Sequence, residues 1–262
     1  LINSNIKKNF KRKKKLPKKI NFNLINFVEK IVKFKFTLDQ TKAIDQINKD
    51  ISSNERMFRL LQGDVGSGKT IVSLISAQNV ILNGYQVAFM APTEILAKQH
   101  YNLYKRVFGN NASVDFLTGK TDYKKKRDIL NKLENKKIKI IFGTHALFQK
   151  KIKFKKLGLI VVDEQHKFGV NQRKKLSEKG GSNCDVLVMS ATPIPRTMMM
   201  TLYGDMDITL IKSKPKNRKD IKTYTKDINK INDVINYIKN EIKKNNQIFW
   251  VCPLIEESKK ID

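Results

Sequence analysis

Cysteine and long apolar runs are both scarce in this sequence of 262 residues. Cys184 and Cys252 are the only cysteines, and they form no C-x-x-C pair. Their spacing argues against a zinc knuckle or a disulfide framework and favours a reducing cytoplasm. The longest apolar runs, such as Leu157 to Val162 and Val186 to Met189, are far too short to cross a bilayer. No stretch near the start resembles a signal peptide, so we expect no membrane partner.

Acidic residues are also few. The chain has 24 of them against 53 basic residues, of which 45 are Lys and 8 are Arg, and its formal net charge is +29. Residues 1–20 hold nine basic residues and no acid. A run such as Lys11 to Lys15 attracts a polyanion without any sequence preference. A solvated helix or a disordered arm is the alternative, because the excess of Lys, Asn and Ile is typical of an AT-rich genome.

A glycine-rich segment matches the phosphate-loop pattern G-x-x-x-x-G-K-[ST] at every position. Residues 58–61 before it can form a buried strand, and residues 71–82 after it can form a helix with an apolar face. Such a strand, turn and helix start present backbone N–H groups to a phosphate. The segment therefore predicts a nucleoside triphosphate site, with Lys69 on the β- and γ-phosphates and the Thr70 hydroxyl on Mg²⁺. The loop comprises Gly63, Asp64, Val65, Gly66, Ser67, Gly68, Lys69 and Thr70.

Strand candidates alternate with amphipathic helices after this loop. Several of them, such as Val87 to Met90 and Leu159 to Val162, are continuous apolar runs, as expected for strands buried on both faces of a parallel sheet. The pattern predicts an α/β fold with a doubly wound, mostly parallel sheet, whose ligands bind at the carboxyl ends of the strands. The predicted strands after the loop are 86–91, 113–117, 139–143, 158–163 and 185–190.

The texture of the sequence changes twice along the chain. Residues 1–33 are a basic, partly helical or disordered lead-in, and residues 34–212 are the predicted α/β domain, which opens with Thr37 as a helix N-cap. Residues 213–262 begin with a polar linker. Two strands, at 224–225 and 247–252, are then predicted on either side of a helix near 231–242, as the start of another α/β unit. Because the sequence begins at Leu1 rather than Met, we expect it to be a piece of a longer protein.

Two carboxylates end the predicted strand at 158–163. Asp163 suits Mg²⁺, usually through water, and Glu164 suits polarising the water that attacks the γ-phosphate. His166 follows in Asp-Glu-Gln-His, and we expect it near the γ-phosphate or between the nucleotide and a DNA site. A hydrogen-bonded loop histidine is the alternative. Ser190 and Thr192 close another strand, and their hydroxyls are predicted to couple the acidic pair to a neighbouring domain, although they could simply cap the following turn.

Two further strand ends suggest a second ligand. Thr93 and Thr144 are each predicted to cap a helix and leave N–H groups for nucleic-acid phosphates, although capping without any ligand is the alternative. No aromatic ladder interleaves with the basic residues, so we predict contacts to the backbone rather than base stacking. The candidate DNA contacts are Pro92, Thr93, Gly119, Thr144 and His145.

Together these segments resemble the superfamily 2 helicases of the DExH type, and within them the bacterial branch-migration helicases. The resemblance covers residues 36–262 and is carried by residues 63–70, 91–100, 143–149, 163–173, 190–197 and 250–258. It implies a first RecA-like P-loop NTPase domain that binds ATP and Mg²⁺ in a cleft facing a second such domain. It also implies that Gln40 contacts the adenine. The implied partner is branched double-stranded DNA, meaning stalled forks and Holliday junctions, which a monomeric cytoplasmic enzyme associated with the bacterial nucleoid remodels in recombination and repair.

The chain departs from this family in two places. The family's N-terminal wedge domain has no counterpart beyond the basic lead-in, and the second motor domain stops at Asp262, before the arginine-rich final motif. We therefore expect residues 1–262 to bind Mg-ATP but to hydrolyse it poorly and not to unwind DNA.

Three alternatives remain open at this point. The transcription-repair coupling translocases have a closely related motor, but their loop carries a bulky residue in place of Ser67 and their acidic motif differs at Gln165. A truncated, non-catalytic nucleic-acid-binding remnant is the second alternative. An RNA helicase is the third, although nothing marks recognition of a 2′-hydroxyl.

Overall fold

The computed structural model describes residues 14–109, 113–149, 151–164, 181, 183–192, 206–213 and 222–251. The chain divides into two compact units, Leu1–Lys216 and Asn217–Asp262. The extent of the motor domain, 34–212, stays a prediction. Among the described residues, no helix is both long and apolar enough to cross a membrane.

A seven-stranded sheet forms the centre of the first unit. Each of its six strand pairings is parallel, and the strand order is β3-β4-β2-β5-β6-β1-β7. The prediction of a doubly wound parallel sheet is therefore confirmed, with the five later strands within one residue of the predicted bounds. The strands are β1 Phe58–Gly63, β2 Gln86–Met90, β3 Val114–Leu117, β4 Ile140–Gly143, β5 Leu157–Asp163, β6 Asp185–Ser190 and β7 Asp207–Ile211.

Helices connect the strands, and several begin at side-chain caps. The Thr37 hydroxyl accepts from the Gln40 amide while the Gln40 side chain accepts from the Thr37 amide, which completes a capping box. The side chains of Thr93 and Asp122 also cap the helices that follow them, by accepting from backbone amides of the first turn. The helices of the first unit are α1 Asn23–Val32, α2 Leu38–Ile51, α3 Lys69–Leu82, α4 Glu94–Phe108 and α5 Tyr123–Glu134.

The strands are buried on both faces because helices cover each face. Successive residues of a strand point to opposite sides, so Val87 and Phe89 join one apolar cluster while Ala88 and Met90 join the other. Burying a side chain of this size contributes about 1.5–3 kcal/mol. The continuous apolar runs are thus explained by a sheet that has no solvent face along its central strands.

One strand was missed by the sequence patterns, and two predicted strands are wrong. β7 lies at the sheet edge and keeps Ile208 and Leu210 exposed, so its alternating pattern is weak. The described residues 222–227 and 246–251 contain no strand. An extended segment needs a hydrogen-bonded neighbour to become a strand, and no described residue pairs with either segment. The helix predicted between them is confirmed as α6, Ile231–Lys243.

A basic segment before α1 is fastened to the amino-terminal edge of the sheet. Lys15 Nζ and Lys18 Nζ donate to the two carboxylate oxygens of Asp185, at 2.5 and 2.7 Å, and all three side chains are fully buried. The Met57 amide also donates to Asp185, at 2.8 Å. Burial lowers the pKa of Lys15, and the Asp185 carboxylate partly opposes that shift. Part of the basic lead-in therefore packs against the sheet through Lys15 and Lys18.

Replacing Asp185 with Asn should destabilise the protein strongly, because two ammonium groups would remain buried without a counter-charge. We expect a loss of about 3–5 kcal/mol in the free energy of unfolding, measured by urea denaturation. Asp128→Asn is the matched control, since Asp128 pairs with Lys132 on the exposed face of α5 and should matter little. Equal losses of unfolding free energy in the two variants would show that the buried cluster stabilises the protein no more than an exposed ion pair does.

Candidate nucleotide and nucleic-acid sites

The phosphate loop joins the end of β1 to the start of α3, as predicted. Gly66 and Gly68 have φ angles of 76° and 88°, in the left-handed region that favours glycine. A Cβ atom on Gly68 would lie 2.3 Å from Gln40 Nε2, so no side chain fits there. The pattern of glycines is therefore required by the shape of the loop.

Several polar groups of the loop have no hydrogen-bond partner in the part of the chain that the structure describes. The backbone amides of Gly66, Gly68, Lys69 and Thr70 have no acceptor among the described residues. The buried Ser67 Oγ has no hydrogen-bond partner there either. Unpaired amides at the first turn of a 14-residue helix carry the positive end of its dipole. The loop thus has the donors and the field that bind an anion such as a phosphate group.

The side chain of Lys69 folds back onto the backbone of the loop. Its Nζ donates to the carbonyl oxygens of Gly63 at 2.6 Å and Asp64 at 3.0 Å. Burial lowers the pKa of Lys69, and the carboxylates of Glu164, Asp163 and Asp64 oppose that shift, in this order of strength. The ammonium group and the acidic pair are therefore close enough to interact, as the predicted nucleotide site requires.

Asp163 ends β5 and Glu164 follows it, and the two carboxylates bond to different partners. His100 Nε2 donates to Asp163 Oδ2 at 2.8 Å, and the pair is largely buried. Glu164 Oε1 accepts from the Ala191 amide at 3.1 Å, and the Glu164 backbone has a φ of 50°. A left-handed Glu costs about 1 kcal/mol, and strain of this kind is concentrated at functional sites.

The residues predicted for Mg²⁺ fit that ion by their chemistry. Thr70 and Asp163 supply a hydroxyl and a carboxylate oxygen, and Mg²⁺ in such sites takes only one or two carboxylates, with phosphate and water completing its shell. The described residues contain no group of three or more His, Cys, Asp or Glu side chains that could hold a metal alone. A shared site with a nucleotide is the arrangement that this donor set supports.

Gln40 braces the loop. Its Oε1 accepts from the Thr37 amide at 2.9 Å and its Nε2 donates to the Ser67 carbonyl at 2.9 Å. Both ends of the amide are thus bonded within the protein, and the side chain is buried. Contact between Gln40 and adenine stays a prediction.

Ser190 and Thr192 lie next to the acidic pair. Their hydroxyls lie 3.0 Å apart and bond to each other, while the Gln62 side chain donates to the Thr192 carbonyl. A hydrogen bond to Glu164 comes from the backbone amide of Ala191, the residue between Ser190 and Thr192. A coupling role for the two hydroxyls stays a prediction. His166 lies outside the described residues.

The candidate DNA contacts follow three adjacent strands. Pro92 and Thr93 follow β2, Gly119 follows β3, and Thr144 and His145 follow β4, so all five residues lie along one half of the carboxyl edge. Thr93 is exposed, and its hydroxyl accepts from the Leu96 amide at 3.3 Å. Gly119 and His145 are exposed as well.

The predicted helix cap at Thr144 is wrong. Thr144 is followed by a four-residue 3-10 turn, His145–Phe148, and its side chain makes no capping hydrogen bond. The chain turns into the following segment after one turn, so no helix dipole develops at this strand end. The Thr144 side chain is also buried, which leaves His145 as the exposed group.

His100 is the residue that the sequence patterns missed. It stands at the end of the 91–100 segment, but nothing in that segment shows which side of α4 faces β5. A helix position seven residues after the Thr93 cap could point to solvent, to the core or to a strand end. Only the packing of α4 across the sheet brings His100 to Asp163.

Comparisons with known proteins agree with this geometry. The DEAD/DEAH box helicase family matches residues 37–201. The chain is 45% identical to the ATP-dependent DNA helicase RecG of Bacillus subtilis, over 92% of this chain and 35% of that protein. It is 44% identical to RecG of Thermotoga maritima, over 94% of this chain and 32% of that protein. The chain thus spans about a third of the length of these relatives.

Solved structures point the same way. A structure of RecG bound to a three-way DNA junction covers 97% of this chain with a TM-score of 0.80 and 40% identity, while this chain covers 34% of it. The DEAD-box helicase Mss116, bound to single-stranded RNA, has a TM-score of 0.63 and 21% identity and supports the RecA-like fold alone. The predicted resemblance is therefore confirmed as similarity to RecG, an ATP-dependent DNA helicase. The chain belongs to the DEAD/DEAH box helicases and, within them, is similar to RecG.

Proposed function

We propose that this chain is the ATP-binding motor portion of a RecG-type DNA helicase that uses ATP and Mg²⁺. The observation that carries the proposal is the phosphate loop, whose unpaired amides lie beside Lys69 and the acidic pair at one sheet edge. The RecG relatives, at 44–47% identity, support the helicase class. The substrate is branched double-stranded DNA, because the solved RecG relative holds a three-way junction.

The roles follow from the chemistry of each side chain. Lys69 neutralises the β- and γ-phosphates, and Thr70 and Asp163 hold Mg²⁺. Glu164 positions and polarises the attacking water, and His166 acts near the γ-phosphate or between the nucleotide and the DNA side. When bound, Mg²⁺ would neutralise part of the charge on the phosphates.

Nucleotide and DNA bind to different halves of the carboxyl edge in this proposal. The residues proposed for nucleotide follow β1, β5 and β6, and those proposed for DNA follow β2, β3 and β4. Residues 34–212 form the motor domain, and 213–262 are a linker and the start of a second one. The protein acts as a monomer in the cytoplasm, on the nucleoid, and uses ATP to branch-migrate forks and Holliday junctions.

Lys69→Ala should abolish productive nucleotide binding, because it removes the cation that faces the phosphates. Loss of two charge-assisted hydrogen bonds, at about 1.5 kcal/mol each, corresponds to roughly 100-fold weaker affinity. A fluorescent ATP analogue measures it. Lys124→Ala, an exposed lysine on α5, is the matched control and should bind normally. Normal affinity of the Lys69 variant would contradict the assignment of the loop.

Glu164→Gln should bind ATP within about threefold of the unchanged protein but lose turnover. The amide keeps the shape of the side chain but cannot accept the proton of the attacking water, so turnover should fall by about 10²–10⁴. ATP hydrolysis by the complete gene product is the measurement, with the exposed Glu134→Gln as control. Unchanged hydrolysis would mean that another group activates the water.

ATP turnover by the complete gene product should be stimulated most by forked DNA. Forked DNA, linear duplex and single-stranded RNA are compared at one salt concentration, because backbone contacts weaken with salt. Equal stimulation by linear duplex would favour a transcription-repair coupling translocase, and stimulation by RNA alone would overturn the DNA assignment.

In the same assay, residues 1–262 alone should turn over slowly. None of the residues placed at the site is an arginine, and an arginine finger contributes about 10³–10⁵ in such motors. Turnover by this chain at the rate of the complete protein would contradict the need for a second domain.

A further inference from the structure

His100 and Asp163 join two parts of the molecule that have separate proposed roles. His100 lies in the second turn of α4, which begins beside the DNA candidate Thr93, and Asp163 ends β5 in the nucleotide half. The distance from His100 Nε2 to Asp163 Oδ2 is 2.8 Å. The two halves meet where β2, the last strand of the DNA half, pairs with β5, the first strand of the nucleotide half.

The hydrogen bond has a defined direction and a rigid setting. A carboxylate oxygen is an acceptor, so we assign the donor role to the imidazole N–H at Nε2. The His100 ring centre lies 5.0 Å from that of Phe89, which is itself buried on β2. A donor held by a packed ring fixes the rotation of the carboxylate that it meets.

A fixed carboxylate orientation matters more for Asp163 than for a carboxylate in a site where the protein supplies all the metal ligands. Mg²⁺ demands a nearly octahedral shell, and here the protein offers few ligands, so the direction of one carboxylate matters. His100 bonds to Oδ2 and leaves the other oxygen, Oδ1, available for a cation. Hydrogen-bond partners of metal ligands commonly set metal affinity in this way.

We propose that His100 is a positioning residue that holds the Asp163 carboxylate in the orientation required for the Mg²⁺ of bound nucleotide. This inference rests on the proposed function, since it needs the nucleotide site. His100 does not touch the nucleotide, and it acts through Asp163. Its loss should therefore weaken the Mg²⁺-dependent part of nucleotide affinity and leave the Mg²⁺-independent part intact.

The test compares substitutions that differ in reach. His100→Gln places an amide N–H near the position of Nε2, whereas the shorter His100→Asn and the apolar His100→Leu cannot reach Asp163. Tyr104→Phe is the matched control, because it removes another side-chain hydrogen bond of α4, the partly buried one from Tyr104 to Gln78. Variants are made in the complete gene product, and thermal unfolding confirms that each is folded.

Two readouts are independent of turnover. One is binding of Mn²⁺, as a spectroscopic substitute for Mg²⁺, in the presence of a non-hydrolysable ATP analogue. The other is the ratio of the affinities for that analogue in Mg²⁺ and in EDTA. His100→Asn and His100→Leu should bind Mn²⁺ about 10-fold more weakly and reduce the ratio similarly, with affinity in EDTA unchanged. His100→Gln should recover most of the loss, and Tyr104→Phe should show none.

Each outcome decides the matter. If the unchanged protein shows no Mg²⁺-dependent nucleotide binding, the proposed function fails. If it does show such binding and the Asn and Leu variants retain it in full, the function stands and the role of His100 is overturned. An equal loss in Tyr104→Phe would also overturn it, because the effect would then be general softening of α4. Should the Leu variant not fold, the comparison between Asn and Gln gives the same answer.

Discussion

Parallel pairing of the strands is the constraint on which the rest of this molecule depends. Because all seven strands run in one direction, every one of them ends at the same edge of the sheet. The edge then collects loops that are far apart in sequence. The strand order places the phosphate loop after β1 on one side of β6 and the acidic pair after β5 on the other.

The two edges of the sheet treat buried charge in opposite ways. At the amino edge, Asp185 begins β6 and is met by two ammonium groups, so its charge is fully compensated within the protein. Pairs of this kind cost about as much in lost hydration as they return in attraction, but they become costly when one partner is removed. At the carboxyl edge, the acids and Lys69 are close but do not form a direct ion pair among the described contacts. The first arrangement suits structure and the second leaves charge for a ligand.

How far the sequence predicted this structure depended on whether each signal was local. The continuous apolar runs of β2 and β5 identified buried strands, because a strand buried on both faces has apolar side chains at consecutive positions. The edge strand β7 has one covered face and gave no such run, so it was missed. The strands expected at 224–225 and 247–252 failed for a different reason, since a strand depends on a neighbour that the local pattern does not show.

The site follows the same division. The phosphate loop was recognisable because eight consecutive residues and their flanks carry its chemistry. The Thr144 cap was wrong because the length of the helix after a strand end is set by how the chain packs, and here it is one 3-10 turn. The links from Ala191 to Glu164 and from His100 to Asp163 join residues 27 and 63 positions apart, which no short pattern could reveal.

The contrast between Asp185 and Asp163 explains why a histidine suits the second position. A lysine beside Asp163 would compensate the carboxylate and compete with a divalent cation for it, as Lys15 and Lys18 do at Asp185. A single imidazole N–H fixes the direction of the carboxylate through one of its oxygens and leaves the other oxygen for the cation. The N-cap Thr93 and His100 are also separated by about 10 Å along the axis of α4. A carboxylate held from that helix is therefore positioned by the same element whose first turn faces the proposed DNA side.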